Sequence, residues 1–247
     1  MGHDLTVRFR KARRDPELTV VEGFHALKHA LRFGAGIEAA VAVDPAALEA
    51  LTLELAPDLA GQLSGRVDAV DAETLAELLP RPPRTQVAAI ARRPPLDLPA
   101  VLADPGPAPV VLLEQPKNMG NIGACVRVAA AADAAAILTT GENDPWYPDA
   151  VRGAAGLHFA LPVASVTALP ESDRPLLAID PEGEDLHPGQ VPARAVLAFG
   201  TERHGISDEL LERADARIAI PMREGVSSLN LATSVAVVLF AMRLGGG

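Results

Sequence analysis

The stretch Val110–Ala132, VVLLEQPKNMGNIGACVRVAAAA, decides the fold class. Its first four residues are a bare apolar run without alternation, the pattern of a strand buried on both faces. Glu114 to Gly123 then reads as a loop containing Asn118, Gly120, Asn121 and Gly123, and Ala124–Ala132 as a helix. Strand, glycine-rich loop and helix in succession are the repeating element of an α/β protein with a parallel sheet. Working outward, further buried strands are predicted at Ala136–Thr139, Leu176–Ile179, Val196–Phe199 and Arg217–Ile220. A helix is predicted at Asp208–Arg213, with Ser207 as its N-cap and acids in its first turn. Another closes the chain near Leu229–Leu244.

Upstream, the segment 94–109 carries prolines at 94, 95, 99, 105, 107 and 109 and reads as a stiff, extended linker. Residues 1–93 before it alternate again. An amphipathic helix at Glu22–Phe33 presents Phe24, Leu27, Ala30 and Leu31 on one side and stops at Gly34 and Gly36. Strands are expected at Ala39–Val43, Val67–Val70 and Val87–Ala91, with helices at Pro45–Leu59 and Ala72–Leu79. The organisation expected is thus a small α/β domain over 1–93, the linker over 94–109, and a larger parallel-sheet α/β domain over 110–247.

Composition bounds what such a chain can do. The chain has 247 residues, 49% of them hydrophobic, enough apolar surface to exclude disorder as the dominant state. No run reaches the roughly 20 apolar residues a bilayer needs, and the most apolar, Leu229–Leu244, is interrupted by Thr233 and Ser234. The N-terminal stretch has charge without an apolar export region, and Cys125 is the only cysteine. A reducing, cytoplasmic location is expected, with no membrane partner and no cysteine-based metal site. The net charge of −10 argues against a polyanionic partner only until its distribution is read. Arg8, Arg10, Lys11, Arg13 and Arg14 cluster near the N-terminus, and Arg81, Arg84, Arg92 and Arg93 form a second group. Local potential rather than total charge steers a polyanion, so these residues, with Phe9 among them, are candidates for holding a nucleic-acid partner, although a solvated basic tail and an interdomain turn read the same.

Three segments depart from generic α/β sequence. In Glu114–Arg127, a glycine-rich loop opens a helix whose N-terminus favours anionic groups, although a tight turn without a ligand reads the same. Arg127 stands on an otherwise apolar helix, where a guanidinium needs a partner or a phosphate. In Val196–Ser207, VLAFGTERHGIS, an apolar strand ends at Gly200 and Glu202 follows in a glycine-bounded loop. In Arg217–Asn230, RIAIPMREGVSSLN, a strand leads through a proline-bounded loop into Ser227, Ser228 and Asn230. Ser227 or Ser228 as N-cap accounts for the serines, whereas Asn230 is a mediocre helix former.

Taken together, NxGNIGxxxR, FGxExxGIS and IPMxxxxxSLN, in that order between Asn118 and Asn230, resemble the SpoU (TrmH) family of RNA ribose 2′-O-methyltransferases, within the SPOUT superfamily. VVEGFHALKHAL at 20–31 and TQVAAIA at 85–91 are similar to that family's small substrate-binding domain, so the resemblance spans nearly the whole chain. The departures are SLNLATS where SLNVS is usual, DAAA at 133–136 without a common glycine, and Gly153 where serine is frequent. The resemblance implies a C-terminal trefoil knot, which general topology would not predict. It also implies a homodimer with its active sites at the subunit interface. S-adenosylmethionine is the implied cofactor, with contacts mapped to Gly200, Ile220, Met222 and Leu229. Asn121, Arg127, Glu202, Ser228 and Asn230 are the matching catalytic set, and no metal is implied. In the family, the residue matching Arg127 is proposed to handle the 2′-hydroxyl proton. A guanidinium stays protonated at any physiological pH, which instead favours stabilising the developing alkoxide and a neighbouring phosphate. The activity expected is 2′-O-methylation of ribosomal or transfer RNA. Base methylation by the same fold and a non-catalytic RNA-binding or assembly role are the alternatives. A dinucleotide oxidoreductase is disfavoured, because no GxGxxG follows a predicted strand.

Overall fold

The computed structural model describes residues 2–187, 189–201 and 205–245, except for the side chains of residues 2 and 3. The chain forms two compact units, Met1–Pro95 with Trp146–Ala160, and Leu96–Pro145 with Leu161–Gly247.

In the first unit, helix α1 (Gly2–Ala12) precedes strand β1 (Leu18–Glu22), helix α2 (Phe24–Arg32) and strand β2 (Ile37–Ala42). Helix α3 (Pro45–Leu55), strand β3 (Val67–Ala69), helix α4 (Ala72–Leu78) and strand β4 (Val87–Arg92) follow. The strands form one sheet in the order β1-β4-β2-β3, antiparallel except for the parallel pair β2/β3. Neither α1 nor β1 is among the elements expected from sequence. Leu5, Phe9 and Ala12 fall one helical turn apart along α1 and bury among Val20, Leu75, Leu78 and Ile90. Phe9 is therefore a core anchor and not part of an RNA grip.

Trp146–Ala160, expected to belong with 110–247, packs with this first unit instead, and specific contacts explain why. Thr19 Oγ1 donates to the Trp146 carbonyl at 2.9 Å, and Arg152 and Arg13 both hold the buried Glu22 carboxylate, at 2.8 and 2.6 Å. At Gly156, φ is +77° and an added Cβ would lie 2.2 Å from the Ala26 carbonyl oxygen, so only glycine lets this segment approach α2. Helix α7 (Pro148–Gly153), which carries Arg152, lies within it.

The second unit is a six-stranded sheet, parallel throughout, in the order β10-β8-β9-β5-β6-β7. Its strands are β5 (Val110–Leu113), β6 (Ala136–Thr139), β7 (Val163–Ser165), β8 (Leu176–Asp185), β9 (Val196–Phe199) and β10 (Ala216–Ala219). The four residues of β5 and the four of β9 are all buried, as a central parallel strand covered on both faces requires. Sequence reading omits β7 and shortens β8. On one face, Val110, Leu112 and Ala198 pack with Leu102 of α5 (Leu98–Ala103) and Leu210 of α8 (Asp208–Arg213). Helix α6 (Met119–Ala131) packs against α9 (Leu231–Gly245), and Arg243 donates to the Ala132 carbonyl at the end of α6.

The proline-rich stretch is not extended throughout. Asp97 caps α5 by accepting from the Ala100 amide at 3.0 Å, and Pro99 sits in the first turn, where its missing N–H costs nothing. The helix and the turns after it are held by the buried guanidinium of Arg174, which donates to the carbonyls of Val101, Leu102, Asp104, Ala108 and Arg194. Burial holds the pKa of Arg174 below its ordinary value, yet a guanidinium stays charged at any physiological pH.

Candidate functional site

The site begins where β5 ends. Asn118 caps α6 by accepting from the Asn121 amide at 3.0 Å, so the helix opens at Met119 rather than at Ala124. Gly120, Asn121 and Gly123 are thus helical residues, not loop residues. Asn121 occupies the first turn of α6, and its Oδ1 accepts from Asn230 Nδ2 at 3.1 Å.

Asn230 does two jobs. Its Oδ1 accepts from the amides of Ala232 and Thr233, at 3.0 and 3.4 Å, so Asn230 and not Ser227 or Ser228 caps α9. Its amide nitrogen joins the third sequence motif to the first. The expected helix therefore starts two residues late, at Leu231, and Ser227, Ser228 and Leu229 lie in the exposed approach to it.

Beside that junction, at the carboxyl ends of β8, β9 and β10, lies a cavity of about 630 Å³. Gly200, Ile220, Met222 and Leu229 line it, together with Ser228 and Asn230. Two glycines shape the wall. A Cβ at Gly200 would lie 2.0 Å from the Gly205 carbonyl carbon, beside the antiparallel bridge between Thr201 and Gly205. A Cβ at Gly183 would lie 2.5 Å from Arg217 in β10. That approach accompanies a register jump in which Arg217 pairs with Ala178 and Ile218 with Glu184. The residues left out of the β10 pairing there include Ile179, which still pairs with Phe199 of β9, and Asp180 and Pro181; all three form a further wall of the cavity. Sequence reading misses these three and Thr201, since nothing in a short strand pattern announces a bulge.

Arg127 stands apart. It is exposed and forms no ion pair among the described residues. Six residues along a helix place it about 120° round α6 from Asn121. Of the two expectations for it, a partner or a phosphate, the described residues supply no charged partner within the chain, and the exposed side chain stays open to a phosphate. Glu202 lies outside the described residues.

The basic candidates separate into free and engaged groups. Arg8, Arg10, Lys11, Arg14, Arg81 and Arg84 are exposed. Arg13 is committed to Glu22 and Arg92 to Glu38, at 2.6 and 2.7 Å. Arg93 donates from Nε to the Leu18 carbonyl at 2.7 Å and stacks over the Trp146 ring at 5.9 Å.

Among the described residues there is no cluster of three potential metal ligands and no helix long and apolar enough to cross a membrane.

Comparison with known proteins gives the family of the chain. The family model described as the SpoU rRNA methylase family matches residues 108–240. The chain is 27% identical over 244 residues to a 23S rRNA (adenosine(1067)-2′-O)-methyltransferase of Streptomyces azureus, covering 93% of this chain and 87% of that protein. A solved structure described as an RNA 2′-O ribose methyltransferase is 26% identical with a TM-score of 0.74, covering 99% of this chain and 95% of the other. The AdoMet-bound rRNA methyltransferase of Sinorhizobium meliloti, at 24% identity, shares the fold with a TM-score of 0.75 over 98% of this chain and 94% of that one. With the family match covering more than half of its length, the chain belongs to the SpoU rRNA methylase family.

Proposed function

We propose that this protein transfers a methyl group from S-adenosylmethionine to a ribose 2′-hydroxyl of ribosomal or transfer RNA. The observation that carries the reading is the cavity at the carboxyl ends of the parallel strands, where the second and third sequence motifs form the walls and the Asn121–Asn230 hydrogen bond ties in the first. Ligands of open α/β sheets bind at that end. The volume lies within the roughly 300–1,000 Å³ of small-molecule sites. The walls suit a nucleoside joined to an amino acid. Ile179, Ile220 and Leu229 offer apolar surface, the tight turn at Gly200 and Gly205 offers backbone groups, and Ser228 and Asn230 offer hydrogen bonds.

When bound, S-adenosylmethionine supplies a sulfonium methyl that is already electrophilic. The protein's own residues are left with alignment and with stabilising a ribose oxygen that loses its proton. Arg127 carries the second of these roles. A permanently charged guanidinium lowers the energy of a forming alkoxide and can share an RNA phosphate, but it is a poor proton acceptor. Asn121, Ser228 and Asn230 hold the ribose and the amino-acid end of the cofactor, and Glu202 orients Arg127 or takes up the hydroxyl proton and relays it to solvent. The exposed cations of the first unit, Arg8, Arg10, Lys11, Arg14, Arg81 and Arg84, grip the RNA backbone. Arg13, Arg92 and Arg93 contribute through the positions they stabilise.

The reading includes a homodimer and the C-terminal trefoil knot. Val237, Phe240 and Leu244 expose a stripe along α9, at 37%, 38% and 83%, and Val226 and Leu229 are exposed in the approach to that helix. A second copy covering that stripe would bring another chain to the exposed Arg127.

The test separates binding from turnover. Arg127→Ala is expected to bind S-adenosylmethionine with wild-type affinity in calorimetry while methyl transfer to RNA disappears. Loss of both together would show that Arg127 maintains the fold instead.

A further inference from the structure

Glu114, at the end of β5, lies outside the residues assigned to catalysis or cofactor contact, yet it brackets the loop that forms one wall of the cavity. Its backbone amide donates to the Phe199 carbonyl at 2.8 Å, fixing the loop where it leaves β9. Its side chain reaches the other end of the same loop, where the Ser207 amide donates to Oε2 at 2.8 Å and the Ser207 hydroxyl to Oε1 at 2.6 Å. Both carboxylate oxygens are thus committed to one residue, in charge-assisted hydrogen bonds of the stronger kind. Between Phe199 and Ser207 lie Gly200, Thr201 and Gly205, all on the cavity wall. Gly205 sits at φ +67°, and a Cβ added at Gly200 would run into the Gly205 backbone.

Resting on the methyltransferase reading, we propose that Glu114 is a positioning residue for cofactor binding: it clamps the β9–α8 loop at both ends and so sets the backbone against which the adenosyl group lies. The same hydroxyl of Ser207 accepts from the Leu210 amide at 3.3 Å, so the clamp is also coupled to the start of α8. Removing the carboxylate frees the far end of the loop while β5, β9 and the apolar core behind them stay intact.

The experiment is calorimetric titration of the full chain with S-adenosylmethionine, alongside steady-state methyl transfer and thermal melting. Glu114→Ala is expected to raise the Kd roughly tenfold, the equivalent of one charge-assisted hydrogen bond. Glu114→Gln, which loses the charge and one acceptor, should fall in between. Ser207→Ala keeps its backbone donor to Glu114 and should weaken binding by a smaller factor, about threefold. In turnover, KM for the cofactor rises while KM for RNA and kcat change little, a split that a general loss of folded protein would not produce. Glu212→Gln, an exposed change on α8, serves as the control with wild-type affinity. If Glu114→Ala fails to fold, Glu114→Gln and Ser207→Ala carry the test. Wild-type Kd in the folded variants overturns the clamp and leaves the methyltransferase reading standing. A wild-type chain that binds no S-adenosylmethionine overturns both.

Discussion

Asn230 is where capping and chemistry meet, and two substitutions separate them. In Asn230→Ala both roles vanish. Loss of the cap to the Ala232 and Thr233 amides costs about 1 kcal/mol, and loss of the 3.1 Å bond to Asn121 about 0.5–1 kcal/mol more at this exposed position. For a chain of this length each kcal/mol corresponds to roughly 2–4 °C in melting temperature. The transition of the C-terminal unit should therefore fall by about 3–8 °C. Asn230→Asp keeps an oxygen to cap α9 and places a negative charge at the helix N-terminus, where it is favourable. Its stability should stay within about 1 kcal/mol of wild type. The Asp side chain, however, has no donor for Asn121 Oδ1. Restoring a bond requires Asn121 to rotate its amide, which reverses the donor and acceptor it presents to the site. We predict a normally stable Asn230→Asp protein whose methyl transfer falls at least tenfold. Scanning calorimetry and single-turnover transfer to RNA measure the two quantities. An Asn230→Asp protein with wild-type turnover would overturn the catalytic role and leave Asn230 as a helix cap alone.

Other sites yield sharper single readings. Gly200→Ala places a Cβ 2.0 Å from the Gly205 carbonyl carbon, so the loop must shift by more than about 1 Å; S-adenosylmethionine affinity measured by calorimetry should drop tenfold or more. Arg174→Ala strips the carbonyls of Val101, Leu102, Asp104, Ala108 and Arg194 of a shared buried donor. It should destabilise the second unit by about 3 kcal/mol or more in urea unfolding, and a smaller loss would mean that water replaces the guanidinium. Asp71 caps α4 by accepting from the Thr74 amide at 2.7 Å, which holds its carboxyl below the ordinary range. A lowered native pKa means that its stabilisation is present at neutral pH and is lost as pH falls through the native value. Asp71→Asn, a comparable cap without the titration, should therefore show a shallower acid-side loss of stability.

How much of this could be read from sequence depends on the range over which each feature is encoded. The parallel strands of the second unit are legible because burial on both faces forces unbroken apolar runs such as VVLL at 110–113 and VLAF at 196–199. The Ser207 cap is legible for the same local reason, since a serine before an acidic first turn needs no tertiary context. Helix α1 is not. Its arginines draw the reading toward a solvated basic segment, while Leu5, Phe9 and Ala12, spaced by one turn, already mark a buried face. The association of Trp146–Ala160 with the first unit rests on contacts such as Arg152 to Glu22, separated by 130 residues, which no local pattern carries. The same holds at the site. The resemblance carried by the second and third motifs singles out Gly200, Ile220, Met222, Ser228, Leu229 and Asn230, and the fold gathers all six around one cavity. What sequence could not supply is the geometry between motifs: the Asn121–Asn230 bond, the Glu114–Ser207 clamp, and the bulge at Ile179–Pro181 that completes the wall. Arg127 stands out for a sound local reason, a guanidinium on an apolar helix, and the fold leaves the face of α6 that it occupies open.

The most direct test is the identity of the methylated product. The protein is incubated with ribosomal RNA and S-adenosylmethionine carrying a labelled methyl group, the RNA is digested to nucleosides, and the labelled nucleoside is identified by mass spectrometry. Label is expected on a 2′-O-methyl nucleoside and should be absent with Arg127→Ala. Label on a base would contradict the assignment of the ribose hydroxyl as acceptor.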